Sequence, residues 1–163
     1  TRVSLDGLLY ESTGGRATVE VVKRVRVYAG YSRDKNNRDA EATGRSLVGG
    51  YASNVAGTGI DLSASDSLMQ RPTGSYHSRY VSVGRSFGRG MYLSADYLTA
   101  LSLIRFSRSD GVTVETKPQM TRVSGTITIN VSRNVSVMAT AERTRDDSSR
   151  DLRILSGLTY RIR

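Results

Sequence analysis

The chain has no cysteine and no tryptophan, only two prolines, and a single histidine. Without cysteine there is no disulfide framework, no thiolate metal site and no cysteine nucleophile. One histidine, His77, leaves no His-pair catalysis and no His-rich metal site. The lack of cysteine is compatible with an oxidising envelope compartment. Long apolar runs are missing too, and nothing approaches the ~18–20 residues that a membrane-crossing helix needs. No basic–apolar–small leader opens the sequence, and the first residue is Thr1, which fits a processed chain or a part of a longer one. Hydrophobic residues make up 37% of the 163. Packed soluble domains reach roughly 45–50% on a count that includes glycine. The 16 glycines narrow that gap, so composition alone admits a soluble fold.

The formal charge is +9. A nucleic-acid binder gathers its Lys and Arg on one face or tail, often with aromatics interleaved. Here the arginines are spread along the chain, at turns and at alternating positions. That distribution suits an anionic membrane surface or a basic lumen, and no nucleic-acid partner is expected.

What the sequence does have is period two. From Val123 to Val131 every odd residue is apolar or Gly and every even residue is Ser, Thr or Asn. Near the end, Leu152, Ile154, Leu158, Tyr160 and Ile162 alternate with Arg153, Gly157, Thr159 and Arg161. Such alternation puts the apolar side chains on one side of an extended strand. No 3.6-residue stripe of similar quality appears. The chain reads as one all-β domain, 1–163, of about ten strands, near 3–11, 16–22, 25–34, 45–53, 59–69, 76–87, 91–106, 121–132, 135–145 and 152–163. Residues 91–106 are apolar on both faces past Leu98, which suggests a bulge or a protein-facing patch.

Link lengths alternate. Those at 23–24, 54–58, 88–90 and 133–134 are short. Those at 35–44, 70–75, 107–120 and 146–151 are longer and polar, with 12–15 the short member of that set. In an up-and-down sheet alternate links share a rim, so one rim is trimmed and the other elaborated.

The last strand carries a family signal. Gly157, Tyr160 and Ile162 occupy the glycine, aromatic and apolar places of the C-terminal strand by which Gram-negative barrels address their insertion machinery. Leu155 stands where a polar residue is usual, and the terminal residue is Arg163 rather than Phe. The chain thus resembles Gram-negative outer-membrane β-barrel proteins, whose periplasmic turns are short and extracellular loops long. The resemblance implies an antiparallel up-and-down transmembrane barrel, complete or the C-terminal part of a larger one, in the bacterial outer membrane. It also implies contact with lipid, lipopolysaccharide and the insertion machinery, and admits an envelope protein partner.

On that reading Val123, Ile127, Ile129, Ile154 and Leu158 face lipid. Tyr10, Tyr31, Tyr76, Phe87, Tyr92 and Tyr160 are candidates for aromatic girdles near strand ends. Arg26, Arg153 and Arg161 point into the lumen, joined by Arg79 or Arg85 if the register differs there. They would pair with Glu20, Asp61, Asp96 or Glu142 and fill a narrow barrel, or favour anions in a wider one. The expected role is scaffold, pore wall or partner sheath, with no catalysis, cofactor or metal.

Two rival readings remain. A soluble, secreted basic β-sandwich binding acidic polymers would show the same alternation, although its strands usually run nearer five or six residues. An outer-rim hydrolase would use His77, placed in a loop 72–77, if Asp66, Asp110 or Asp146 approached it in space. Asp146, Asp147 and Asp151 could gather oxygen ligands for Ca²⁺, but Arg145 and Arg150 beside them favour charge pairing.

Overall fold

The computed structural model describes residues 2–5, 8–36, 42–71, 73–88, 90–107 and 111–161. The strands are β1 (Arg2–Leu5), β2 (Leu8–Val22), β3 (Val25–Asn36), β4 (Thr43–Ala52), β5 (Ile60–Arg71) and β6 (Gly74–Phe87). Then come β7 (Met91–Ser107), β8 (Thr113–Thr116), β9 (Gln119–Asn130), β10 (Val135–Arg145) and β11 (Arg150–Tyr160). One 3-10 turn, Val55–Gly57, is the only helical element among the described residues.

All strands belong to one antiparallel sheet, a meander in the order β1-β2-β3-β4-β5-β6-β7-β9-β10-β11, with β8 paired to β7 alone. The path holds ten strands, as the alternation implied. The sheet is open: no ladder joins β11 to β1 or β2 among the described residues. The described residues therefore do not close into a complete barrel on their own, the first of the two forms expected from the sequence, and they form no second layer of the kind a sandwich requires. Because β1 covers only the first residues of β2, nine long strands carry the sheet, and the first and last of them, β2 and β11, run the same way.

Backbone hydrogen bonds tie the short links into one rim. Ser53 N–H reaches Arg24 O (2.9 Å), Ser86 reaches Gly59 O (3.0 Å), Asn130 reaches Gly90 O and Arg161 reaches Asn134 O (both 2.9 Å). At the opposite rim Arg105 N–H reaches Thr73 O (2.8 Å) and Ser102 reaches Pro118 O (3.0 Å). The two-rim division expected from link lengths is present.

Several boundaries differ from expectation. The segment 12–15 is no link, because β2 runs straight through it, paired residue for residue with β3. The 70–75 link shrinks to a tight turn between Arg71 and Gly74. The 107–120 link contains β8, which pairs with the upper end of β7. The expected bulge is missing, since the β6–β7 register is unbroken, and the one register shift lies at Glu20/Val22 in β2.

Register sorts the side chains into two faces. One carries Leu62, Val81, Leu93, Tyr97, Val123, Ile127, Val137, Ile154 and Leu158. The other carries Ser63, Ser65, Ser82, Ser94, Asp96, Ser124, Thr126, Thr128, Thr140 and Glu142. In a single layer neither face is covered, so differences in exposure report curvature. Across the central strands the polar residues are half-buried and most of the apolar ones exposed, so the sheet curls toward its polar side.

No apolar core forms among the described residues. Ala100 is the one buried hydrophobic residue among those described. The accessible surface is 12027 Å², whereas a folded monomer of 17.8 kDa exposes about 8000 Å².

Candidate functional site

The polar face is the candidate site. Period two delivers its residues, and cross-strand neighbours about 5 Å apart then bond one another. Near the short-turn rim Arg26 donates through Nε to Glu20 (3.1 Å) and through a guanidinium N–H to Tyr51 Oη (2.9 Å). At mid-sheet Tyr80 Oη donates to Asp96 (2.7 Å), whose other oxygen faces Ser124 Oγ at 3.5 Å. Thr126 and Thr140 hydroxyls meet at 2.9 Å, and Arg122 lies 3.8 Å from Glu142. Toward the loop rim Asp34, 8% exposed, accepts from Ser12 Oγ (2.7 Å) and pairs with Arg45 (3.3 Å).

Two tyrosines lie over glycines on this face. A Cβ at Gly84 would collide with Tyr92 Oη, and one at Gly49 would meet Tyr28 Oη at 2.6 Å. The aromatic covers the backbone that the glycine leaves bare, a device that pins curved sheets.

Arg26 and Arg153 fall on the polar side by register, and Arg161, just past the last paired residue Tyr160, continues the alternation of Arg153 and Thr159. Of their expected partners, Glu20 binds Arg26. Glu142 takes Arg122 instead of Arg153, and Arg153 stands 4.0 Å from Asp151. Asp61 accepts from the Asn54 N–H (2.9 Å) and holds the short 54–58 link. Cations and anions nearly balance here: Arg16, Arg26, Arg45, Arg71, Arg122, Arg153 and, by alternation, Arg161 stand with Glu20, Asp34, Asp61, Asp96, Glu142 and Asp151. Arg79 and Arg85 lie on the opposite face, beside Val81 and Val83. Tyr76 and Tyr92 belong to the polar face and form no outer girdle. Tyr31, Tyr97 and Tyr160 are on the apolar face, as is Phe87 beneath the Arg85 guanidinium at 5.1 Å. The side chain of Tyr10 lies outside the described residues.

Val123, Ile129, Ile154 and Leu158 are exposed, Ile154 by 77% and Leu158 by 70%, and Ile127 is half-buried on the same face. Gly157 and Tyr160 lie on opposite faces of β11; Ile162 is outside the described residues.

His77 is in strand β6, not in a loop, because the turn formers Thr73 and Gly74 end the turn before it. Its Nε2 lies 2.9 Å from both oxygens of Asp66, which also accepts from Arg79 Nε (3.0 Å). An imidazole on a carboxylate can act as a general base. This pair, however, sits on the apolar face, with Leu68 and Leu101 beside His77 in register. Asp146 is committed to the 146–149 turn: its carboxylate accepts from the backbone N–H groups and hydroxyls of Ser148 and Ser149. Those bonds lower its pKa from 3.8 to about 2. Among the described residues no group of acids or His is arranged to hold a metal ion.

No family model matches this sequence, and a search of curated proteins returned no match.

Proposed function

We propose that these strands form part of the wall of a bacterial outer-membrane β-barrel, serving as scaffold, pore wall or partner sheath rather than as an enzyme. One observation carries this reading: the apolar face is the more exposed one, in a sheet with no apolar core. Water makes that arrangement costly, at roughly 25 cal/mol for each Å² of apolar surface left uncovered. Hydrocarbon removes the cost and requires every backbone group to pair within the sheet. The short and elaborated rims agree with the periplasmic and extracellular ends of such barrels. The C-terminal strand would then serve the insertion machinery through Gly157, Tyr160 and Ile162. The near-balance of charge on the polar face favours a wall or sheath over an anion-selective pore.

The absence of tryptophan permits a clean test. Single Ile127→Trp and Thr128→Trp variants are refolded with vesicles containing chain-brominated lipid. Strong quenching at 127 and little at 128 is expected. A chain that stays soluble and folded without lipid, with neither site quenched, refutes the membrane reading.

The His77–Asp66 contact supports a second reading, an outer-rim hydrolase. Hydrolysis of a peptide or ester substrate that disappears in His77→Ala would favour it. Hydrolysis that persists there would remove it.

A further inference from the structure

The last hairpin places two like charges face to face. Arg145 and Arg150 are direct cross-strand partners on the apolar side of the sheet, and Arg143 follows on the same face opposite Leu152. Like charges set opposite each other in a sheet are destabilising unless something compensates them. The three guanidinium groups make no ion pair or hydrogen bond with a described residue, although the backbones pair in the ladders. The nearby acids are engaged elsewhere. Asp146 is saturated by Ser148 and Ser149, Asp147 accepts from the Gln119 N–H (2.9 Å), and Asp151 lies on the other face near Arg153. Asp146 thus closes the turn that holds the arginines together without neutralising them. Directly below begins an exposed apolar strip, Leu152, Ile154 and Leu158.

We propose that Arg145 and Arg150, with Arg143, form a binding site for the phosphate monoester headgroup of a membrane lipid whose acyl chains lie along Leu152 and Ile154. Guanidinium forks match phosphate oxygens with paired, charge-assisted hydrogen bonds, and the apolar strip distinguishes a lipid from a free anion. The inference rests on the barrel reading and gives it a specific lipid contact on the elaborated rim.

The test uses the full chain refolded into phosphatidylcholine vesicles. Spin-labelled phosphatidic acid is partitioned between bulk bilayer and the protein-bound lipid shell, against spin-labelled phosphatidylcholine. Each basic side chain at an anionic lipid surface contributes about fivefold. The Arg145→Gln/Arg150→Gln variant should therefore lose about 25-fold of the preference for phosphatidic acid. Arg145→Lys/Arg150→Lys keeps the charge and conserves the hairpin, so it should lose only the share that paired hydrogen bonds supply. Lys23→Gln/Arg133→Gln removes the same charge from the opposite rim and should keep the preference. Inorganic phosphate at matched concentration should not displace the labelled lipid. Equal preference in the wild type and Arg145→Gln/Arg150→Gln, or full displacement by inorganic phosphate, overturns the site and leaves the barrel intact. Failure of the wild type to insert into any vesicle overturns both.

Discussion

Asp66 draws His77 and Arg79 together on the face that carries Leu62 and Val81, with His77 Nε2 equidistant at 2.9 Å from both carboxylate oxygens. Leu68 and Leu101 flank His77 in register on that same face, so the trio is a polar island within the apolar face.

Truncating Asp66 should leave the Arg79 guanidinium and the His77 imidazole without their shared partner. In urea unfolding from vesicles, Arg79→Leu is expected to cost less in the Asp66→Leu background than in the wild type, the difference being the coupling energy of the pair. Additive effects would mean that the pair contributes nothing.

The two faces should respond oppositely to charge. Ile127→Arg is expected to cost roughly 2–4 kcal/mol if the site lies near the bilayer midplane, while Thr128→Arg, on the polar side, should cost much less. Equal costs in vesicle-based unfolding would defeat the assignment of faces.

The tyrosine-over-glycine contact predicts strong coupling. Gly84→Ala should cost about 1–3 kcal/mol as an overpacking change. Combining it with Tyr92→Ala should recover part of that loss, read from a double-mutant cycle. No recovery would show that Tyr92 does not cover Gly84.

The pKa of Asp146 gives a pH signature. Its folded value, about 2, lies below the ordinary 3.8. The stabilisation is therefore complete above about pH 4 and disappears as the pH falls through about 2. The stability difference between wild type and Asp146→Ala should be present at neutral pH and vanish across that window. A difference that persists at pH 2 would assign the effect to something other than the carboxylate.

Sidedness can be read chemically because the chain has no native cysteine. Single cysteines at Lys23 and Ser132 should react alike with a membrane-impermeant thiol reagent in oriented vesicles. Cysteines at Thr73 and Ser148 should show the complementary pattern. Mixed accessibility within either pair would break the two-rim arrangement.

The faces of the sheet were legible because side-chain direction follows from a two-residue repeat, and Val123 to Val131 displays that repeat without interruption. Ser12–Gly15 misled for the opposite reason. Their types favour turns, yet Ser12 bonds Asp34 and the following backbone pairs with β3, partners some twenty residues away. His77 was drawn into a loop by Pro72, Thr73 and Gly74. Tyr92 could have been placed, since it shares parity with Ser94 and Asp96, but aromatic character near a strand end suggested a girdle. Arg45 with Asp34, and Arg122 with Glu142, depend on strand register, which no local pattern encodes.

The shared direction of β2 and β11 restricts what can complete this sheet. Two ends that point the same way cannot be zipped antiparallel, so an all-antiparallel cylinder built on these strands must interpose an odd number of further crossings. Apart from the four-residue β1, which covers only the start of β2, identical copies standing side by side in a bilayer, all with the same end up, offer each other edges of like direction. Self-association of such copies would therefore have to use parallel ladders. Parity alone thus separates closure by additional strands from closure by repetition, before any side chain is considered.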